Sequence, residues 1–205
     1  MSSAQQTVFI VEDDAAVRDS LALLLGLEGH RVQSFSCAED FLRVYQASWT
    51  GCLLLDVRMP GMSGLELQAE LQERQIMLPI IMITAHGDVP TVRNALKSGA
   101  VDFLEKPVDP EVLVTTVRSA LDADAARRSA SQAHEFAEQR LRMLTARERQ
   151  VLDLVGAGSP NREVAEALGI SPRTVEVHKA RVMEKLQVRN VSELVRIVLG
   201  SPGKP

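Results

Sequence analysis

The strongest constraint on this chain is an alternation within its first 120 residues. Five short apolar runs are separated by segments whose apolar positions recur at helical spacing. Thr7–Val11 (TVFIV) is a β-branched run that ends in Glu12-Asp13-Asp14, and residues 15–28 follow with Val17, Leu21, Leu24 and Leu25 on one helical face. Gly29 stands where a left-handed helix terminus favours glycine. The unit repeats as Arg31–Phe35 with a helix over residues 38–45 capped by Ser36, and as residues 52–56 with a helix over 64–75. It repeats twice more as Ile80–Thr84 with a helix from about 90 to 97, and as residues 101–105 with a helix starting at Asp109-Pro110. Parallel strands need such crossovers, and five of them predict an α/β fold: a doubly wound five-stranded parallel sheet with helices on both faces. A second, all-helical segment follows. In a doubly wound sheet, ligands bind at the carboxyl ends of the strands, where the strand order reverses.

Composition narrows the function classes. Hydrophobic residues at 45% and charged residues at 24% are those of a globular protein. The longest apolar stretch, residues 76–83, is interrupted by Pro79 and is far shorter than the roughly 18 residues of a membrane span. No basic, apolar leader stands at the N-terminus, so a cytoplasmic protein without membrane contact is expected. Cys37 and Cys52 form no C-x-x-C pair and read as free thiols, and no two of the four histidines share a helix face, which disfavours zinc. Charge divides the chain. Residues 1–120 hold 9 Lys and Arg against 16 Asp and Glu, whereas residues 141–205 hold 11 against 7. An acidic front and a basic back suggest two modules with different partners.

The polar residues at the strand ends converge on one pocket. Glu12, Asp13 and Asp14 close the first strand, Asp56 the third and Thr84 the fourth, and Lys106 follows the fifth. Carboxylates so crowded repel one another unless a cation sits among them, and an all-oxygen set suits a hard divalent ion such as Mg²⁺. A spare carboxylate beside such a metal, with Thr84 and Lys106 able to hold phosphate oxygens, makes a phosphoryl-transfer site with a carboxylate nucleophile.

VFIVEDD, LLLDVRMPGMSGLEL, PIIMITAHGD and GAVDFLEKP, in that order, resemble the receiver domain of two-component response regulators, a flavodoxin-like fold. The resemblance covers about the first 120 residues. It implies that Asp56 is phosphorylated by a partner sensor histidine kinase, and that Glu12, Asp13, Asp56 and the backbone carbonyl of Arg58 ligate Mg²⁺. It further implies that Thr84 reaches a phosphoryl oxygen, that Lys106 pairs with the phosphate ahead of a cis Lys106-Pro107 bond, and that Phe103 is a switch aromatic. Glu12 stands where Asp is commoner in the family.

From Asp109 to Leu144 there is no glycine, and the only proline, Pro110, lies in a first helical turn. The expected organisation is a receiver over residues 1–122, a helical linker over 123–142, with a flexible Ala/Ser/Gln/Arg tether as the competing picture, and a DNA-binding domain over 143–205. In the last segment Thr145 and Glu148 form a capping box before residues 146–155; helices over Asn161–Leu168, Pro172–Leu186 and 192–199 follow. The middle two, joined by LGIS, make a helix-turn-helix whose second helix can enter a major groove. The whole segment from residue 144 to about 199 is similar to the LuxR-type DNA-binding domain of the FixJ/NarL branch of response regulators. By that resemblance Glu176, Val177 and Ala180 read bases, while Arg173, Thr174, Lys179, Arg181 and Lys185 face phosphates.

The reading is a transcriptional regulator, not an enzyme. Phosphorylation promotes receiver dimerisation through a face carrying Val92, Ala95, Leu96 and Val101, and with it binding to promoter double-stranded DNA, with RNA polymerase as a further partner. Two other classes compete: a phosphatase turning over a phosphoaspartyl intermediate, and a receiver acting only through protein contacts. A missing second acid and cap domain argue against the first, and the basic excess of residues 141–205 against the second.

Overall fold

The computed structural model describes residues 6–85, 93, 95–190 and 193–194. The chain divides into two compact units between Arg128 and Ser129.

In the first unit five strands, β1 (Thr7–Val11), β2 (Arg31–Phe35), β3 (Gly51–Asp56), β4 (Ile80–Thr84) and β5 (Asp102–Glu105), form one parallel sheet in the order β2-β1-β3-β4-β5. Between them run α1 (Ala15–Leu27), α2 (Ala38–Val44) and α3 (Gly64–Glu73), and α4 (Pro110–Arg142) follows β5. β1, β3 and β4 are buried throughout, the signature of strands covered on both faces. Alternate residues feed two cores. Phe9, Val11, Leu53, Leu55 and Met82 pack with Phe41 of α2 and with Leu67 and Leu71 of α3. Val8, Ile10, Leu54, Ile81 and Ile83 pack with Leu21 and Leu25 of α1 and with Leu113, Val117 and Leu121 of α4. Each such side chain contributes about 1.5–3 kcal/mol of burial, which fixes the register: a one-residue slip would exchange the two faces of every strand.

Local chemistry sets the helix ends. Asp14 caps α1 through the Ala16 and Val17 N–H groups, and Ser63 with Glu66 forms a capping box on α3. α2 differs from expectation: its N-cap is Cys37, not Ser36, and makes no side-chain bond, so Glu39 and Asp40 in the first turn supply the favourable negative charge. β5 begins at Asp102, one residue later than expected, although the Val101 N–H already bonds the Ile80 carbonyl at 2.7 Å. Of the helix expected over about 90–97, the described part includes a helical turn at residues 95–97; Val92 and most of the segment 192–199 lie outside the described residues.

α4 is one helix of 33 residues and includes residues 123–142. Its polar stretch hides an anchor. Asp124 is fully buried; its carboxylate accepts the Gly51 N–H at 3.2 Å and pairs with Arg127 at 2.5 Å.

The second unit contains α5 (Ala146–Gly156), α6 (Asn161–Leu168) and α7 (Pro172–Leu186). Thr145 and Glu148 form the expected capping box, Gly169 ends α6 at φ +65°, and Ser171 caps α7 ahead of Pro172. Val151, Leu152, Val155, Val164, Val175, Val182, Leu186 and Leu194 form its core.

Candidate phosphoryl-transfer site and nucleic-acid interface

The reversal of strand order lies between β1 and β3, and the parallel register carries the ends of all the central strands to one rim. Val11 is level with Leu55, Asp56 with Ile83, and Thr84 with Glu105. Glu12, Asp56, Thr84 and Lys106 therefore meet there, the first three buried and Lys106 half-buried, while Asp13 is exposed beside them. One carboxylate oxygen each from Glu12, Asp13 and Asp56 lies within 4.8 Å of the others.

Lys106 holds the pocket together. Its Nζ lies 2.7 Å from Glu12 Oε2 and 2.9 Å from Asp56 Oδ1. Burial opposes the charge on Lys106, but its bonds to the two carboxylates outweigh burial and raise the ammonium's pKa. Burial pushes the Glu12 carboxyl above its ordinary range; Lys106 pulls it down and the Asp56 charge pushes it up. One ammonium among three carboxylates leaves a negative excess, and the donors are all oxygens, so the residues fit a hard divalent cation such as Mg²⁺.

The backbone around the pocket is tightly held. The Arg58 N–H bonds Asp56 Oδ2 at 3.2 Å, and the Gly64 N–H bonds the Val57 carbonyl at 3.1 Å. Gly64 is required by this closure, since a Cβ there would sit 2.1 Å from the Asp56 carbonyl oxygen. The Lys106 N–H bonds the Thr84 carbonyl at 2.7 Å, and Lys106-Pro107 is cis, as the resemblance implied. Sequence reasoning passed over Arg18. Its guanidinium donates to the carbonyls of Glu12 at 2.7 Å and Asp13 at 3.2 Å, fixing the loop that presents both acids. An Arg one turn into the helix after an acidic loop was the available signal.

Phe103 is half-buried and packs against the core that includes Met82. Leu96 and Val101 are exposed, but Ala95 is not: it is fully buried, and its carbonyl accepts the Gln68 side-chain amide at 3.0 Å. Ala95 therefore cannot belong to the exposed face expected of it.

On α7, Val175, Val182 and Leu186 point into the core, as their spacing predicted. At 100° per residue, Arg173, Val177 and Ala180 lie on the opposite side, with Glu176 and Arg181 flanking them, and all five are exposed. Lys179 is half-buried beside the core stripe. Thr174 is half-buried, its hydroxyl 2.8 Å from Ser171 Oγ. Glu176 makes no ion pair among the described residues. Lys185 points away from the exposed face: its Nζ lies 2.6 Å from Glu148 Oε2 and donates to the Met143 carbonyl at 3.3 Å. Bonds from Lys185 and from the Thr145 N–H hold the nearly buried Glu148 carboxyl down at about 2.

Comparison with known proteins agrees with both units. Residues 8–118 match the response regulator receiver domain, and residues 142–198 match the bacterial regulatory proteins of the luxR family. The chain is 45% identical over 194 residues to the transcriptional regulatory protein FixJ of Rhizobium meliloti, covering 94% of this chain and 95% of that one. It is 43% identical over 193 residues to FixJ of Bradyrhizobium diazoefficiens, covering 94% of each. Among solved structures, the response regulator StyR superposes with a TM-score of 0.87 at 44% identity, over 96% of this chain and 99% of that one. A parallel-sheet receiver and a helix-turn-helix unit, each matched in its own right and together matched along nearly the whole chain, place this protein among the two-component response regulators with a LuxR-type DNA-binding domain.

Proposed function

We propose that Asp56 is the phosphoacceptor of this regulator, that a sensor histidine kinase supplies the phosphoryl group, and that phosphorylation promotes receiver dimerisation and promoter binding in the cytoplasm. The observation that carries the reading is the pairing of Asp56 with Lys106 at 2.9 Å inside a three-carboxylate cluster. Asp56 is the member of that cluster on the central strand, buried yet reachable from the rim, with its second oxygen oriented by the Arg58 N–H.

Glu12, Asp13, Asp56 and the Arg58 carbonyl would hold Mg²⁺. The ion would supply positive charge to offset the carboxylates and the phosphoryl oxygens. The chain's own groups do the rest. An Asp56 carboxylate oxygen attacks phosphorus and the donor's leaving group departs, which gives an acyl phosphate. The Lys106 ammonium, released from Asp56, pairs with the new phosphate, and the Thr84 hydroxyl donates to another phosphoryl oxygen. The acyl phosphate carries up to about two negative charges where the carboxylate carried one, and that added charge biases Thr84, Phe103 and the exposed Leu96 and Val101 surface toward a dimer-forming arrangement.

In the second unit, Val177, Ala180 and Glu176 are the base-reading positions. Arg173, Thr174, Lys179 and Arg181 face phosphates, and contact with RNA polymerase follows promoter binding. Lys185 acts within its own unit.

Incubation with acetyl phosphate and Mg²⁺ is expected to label Asp56 as a base-labile acyl phosphate, and Asp56→Asn to abolish the label as read by mass spectrometry. Label that persists in Asp56→Asn and maps to Asp13 or Asp14 would reverse the assignment of nucleophile and ligand. Steady phosphate release from small phosphomonoesters would favour the enzyme reading instead.

A further inference from the structure

Glu39 lies in the first turn of α2, far in sequence from Asp56, and belongs to none of the pocket's ligands. Its side chain nevertheless reaches the loop between β3 and α3, which carries Arg58 and leads from Asp56 to Gly64. Glu39 Oε1 accepts the Met62 N–H at 3.1 Å. The same oxygen lies against Gly61, 2.9 Å from where a Cβ would stand, and Gly61 adopts φ +76°. Both ends of the loop are fixed otherwise. At one end the Val57 side chain is buried and the Arg58 N–H is bonded to Asp56; at the other, the Ser63 N–H is bonded to Glu66 Oε2 at 2.8 Å. Between Met59 and Met62, Glu39 is the one side chain from another element that bonds the loop backbone, among the described residues.

We infer that Glu39 is a positioning residue for the phosphorylation site: it braces the β3–α3 loop so that the Arg58 backbone faces Asp56 on one side and offers its carbonyl to the cation on the other. The argument rests on the Asp56 and Mg²⁺ reading above. Two further observations support the brace. Asp40, the next residue, is spent on its own helix, paired with Arg43, so the two neighbouring acids have separate tasks. Backbone N–H groups, its own and that of Met62, hold the Glu39 carboxyl below the ordinary range, so the side chain stays an acceptor at neutral pH. Gly61 is part of the device. Its left-handed backbone turns the Met62 N–H toward α2, and a side chain there would displace the carboxylate.

The role is one of hydrogen-bond acceptance and not of charge, and this separates it from a general electrostatic effect on the acidic pocket. Glu39→Gln keeps an acceptor oxygen and removes the charge; Glu39→Ala removes both; Asp40→Ala removes a neighbouring charge without touching the loop. Three measurements on the full chain distinguish them: Mg²⁺ affinity by calorimetry, the rate of Asp56 labelling by acetyl phosphate at saturating Mg²⁺, and amide exchange of residues 58–62 without metal. Glu39→Ala is expected to weaken Mg²⁺ binding and slow labelling several-fold and to speed exchange at Met62. Glu39→Gln should stay within about twofold of the wild type, and Asp40→Ala should be unchanged. An unchanged Glu39→Ala protein, a Glu39→Gln protein as impaired as Glu39→Ala, or an equal effect of Asp40→Ala would each overturn the brace. Absence of Asp56 labelling in the wild type would instead overturn the phosphoacceptor reading.

Discussion

Lys185 shows how one side chain's task is decided by geometry that spacing alone does not carry. Its place on a basic helix made it a phosphate candidate, yet its ammonium closes a 2.6 Å pair with Glu148, whose carboxylate also completes the capping box of α5. The pair ties the last turn of α7 to the first turn of α5. Lys185→Met is therefore expected to destabilise the second unit by about 1–2 kcal/mol, less than for a fully buried pair because the lysine side chain is 35% exposed. Its DNA binding should keep the same salt dependence. The pH dependence has a definite direction. A carboxyl held at about 2 in the folded state contributes stability that is fully present above the ordinary unfolded value and is lost as pH falls toward 2. Urea denaturation of the second unit between pH 5 and pH 2.5 should show that decline in the wild type and a shallower one in Lys185→Met. An unaltered slope would place the cause of the low Glu148 value in the Thr145 N–H alone. The capping box was legible because its two members stand three residues apart. The lysine was not, since 37 residues separate it from Glu148.

At the scale of elements, β1, β3 and β4 were the plainest reading, because a strand covered on both faces must be apolar at every position and few other structures share that pattern. The edge strand β5 and the cap of α2 were harder: an edge strand is half exposed, and Ser36, the better N-cap by its chemistry, stands one residue before Cys37, which takes the position. Asp124 was illegible. In the sequence it is one more acid in a polar stretch, and only the fold brings it under β3, where the Gly51 N–H needs an acceptor. Gly51 itself adopts φ +137°, and a Cβ there would meet the Thr7 carbonyl at 1.8 Å, so the strand's first residue leaves no room for a side chain to supply that acceptor locally. Asp124→Leu should destabilise the first unit by about 2–4 kcal/mol, since it strands a buried N–H and frees Arg127 from its partner. Asp124→Asn, which retains an acceptor, should cost about half as much. Denaturation midpoints of the two variants decide it; equal losses would make the charge on Asp124, and not its acceptance from Gly51, the stabilising feature.

For the whole molecule, the opposite charge balances of the two ends match the tasks proposed for them: an acidic front for a cation and a phosphate, and a basic back suited to a polyanion. The helix-turn-helix unit presents one reading helix, so a two-part site needs two copies of the chain. Salt dependence counts them. Each phosphate neutralised contributes about 0.9 to the slope of log affinity against log salt. On the proposed docking, Lys179, half-buried beside the core stripe of α7, makes one such contact per copy, and Lys185, paired with Glu148, makes none. Lys179→Ala should then reduce the slope by about 0.9 where one copy binds and by about 1.8 where two bind. The larger reduction is expected only for protein phosphorylated on Asp56, with the smaller one persisting in Asp56→Asn under the same conditions. Val177→Ala should leave the slope alone and instead change the ratio of affinities for specific and scrambled duplexes, because its side chain is exposed and uncharged and, on the proposed docking, meets base edges. Titrations at four or five salt concentrations, with and without phosphorylation, separate these effects. A Lys179→Ala reduction that is the same in both states would mean that phosphorylation strengthens DNA binding by some route other than placing a second recognition helix on the duplex.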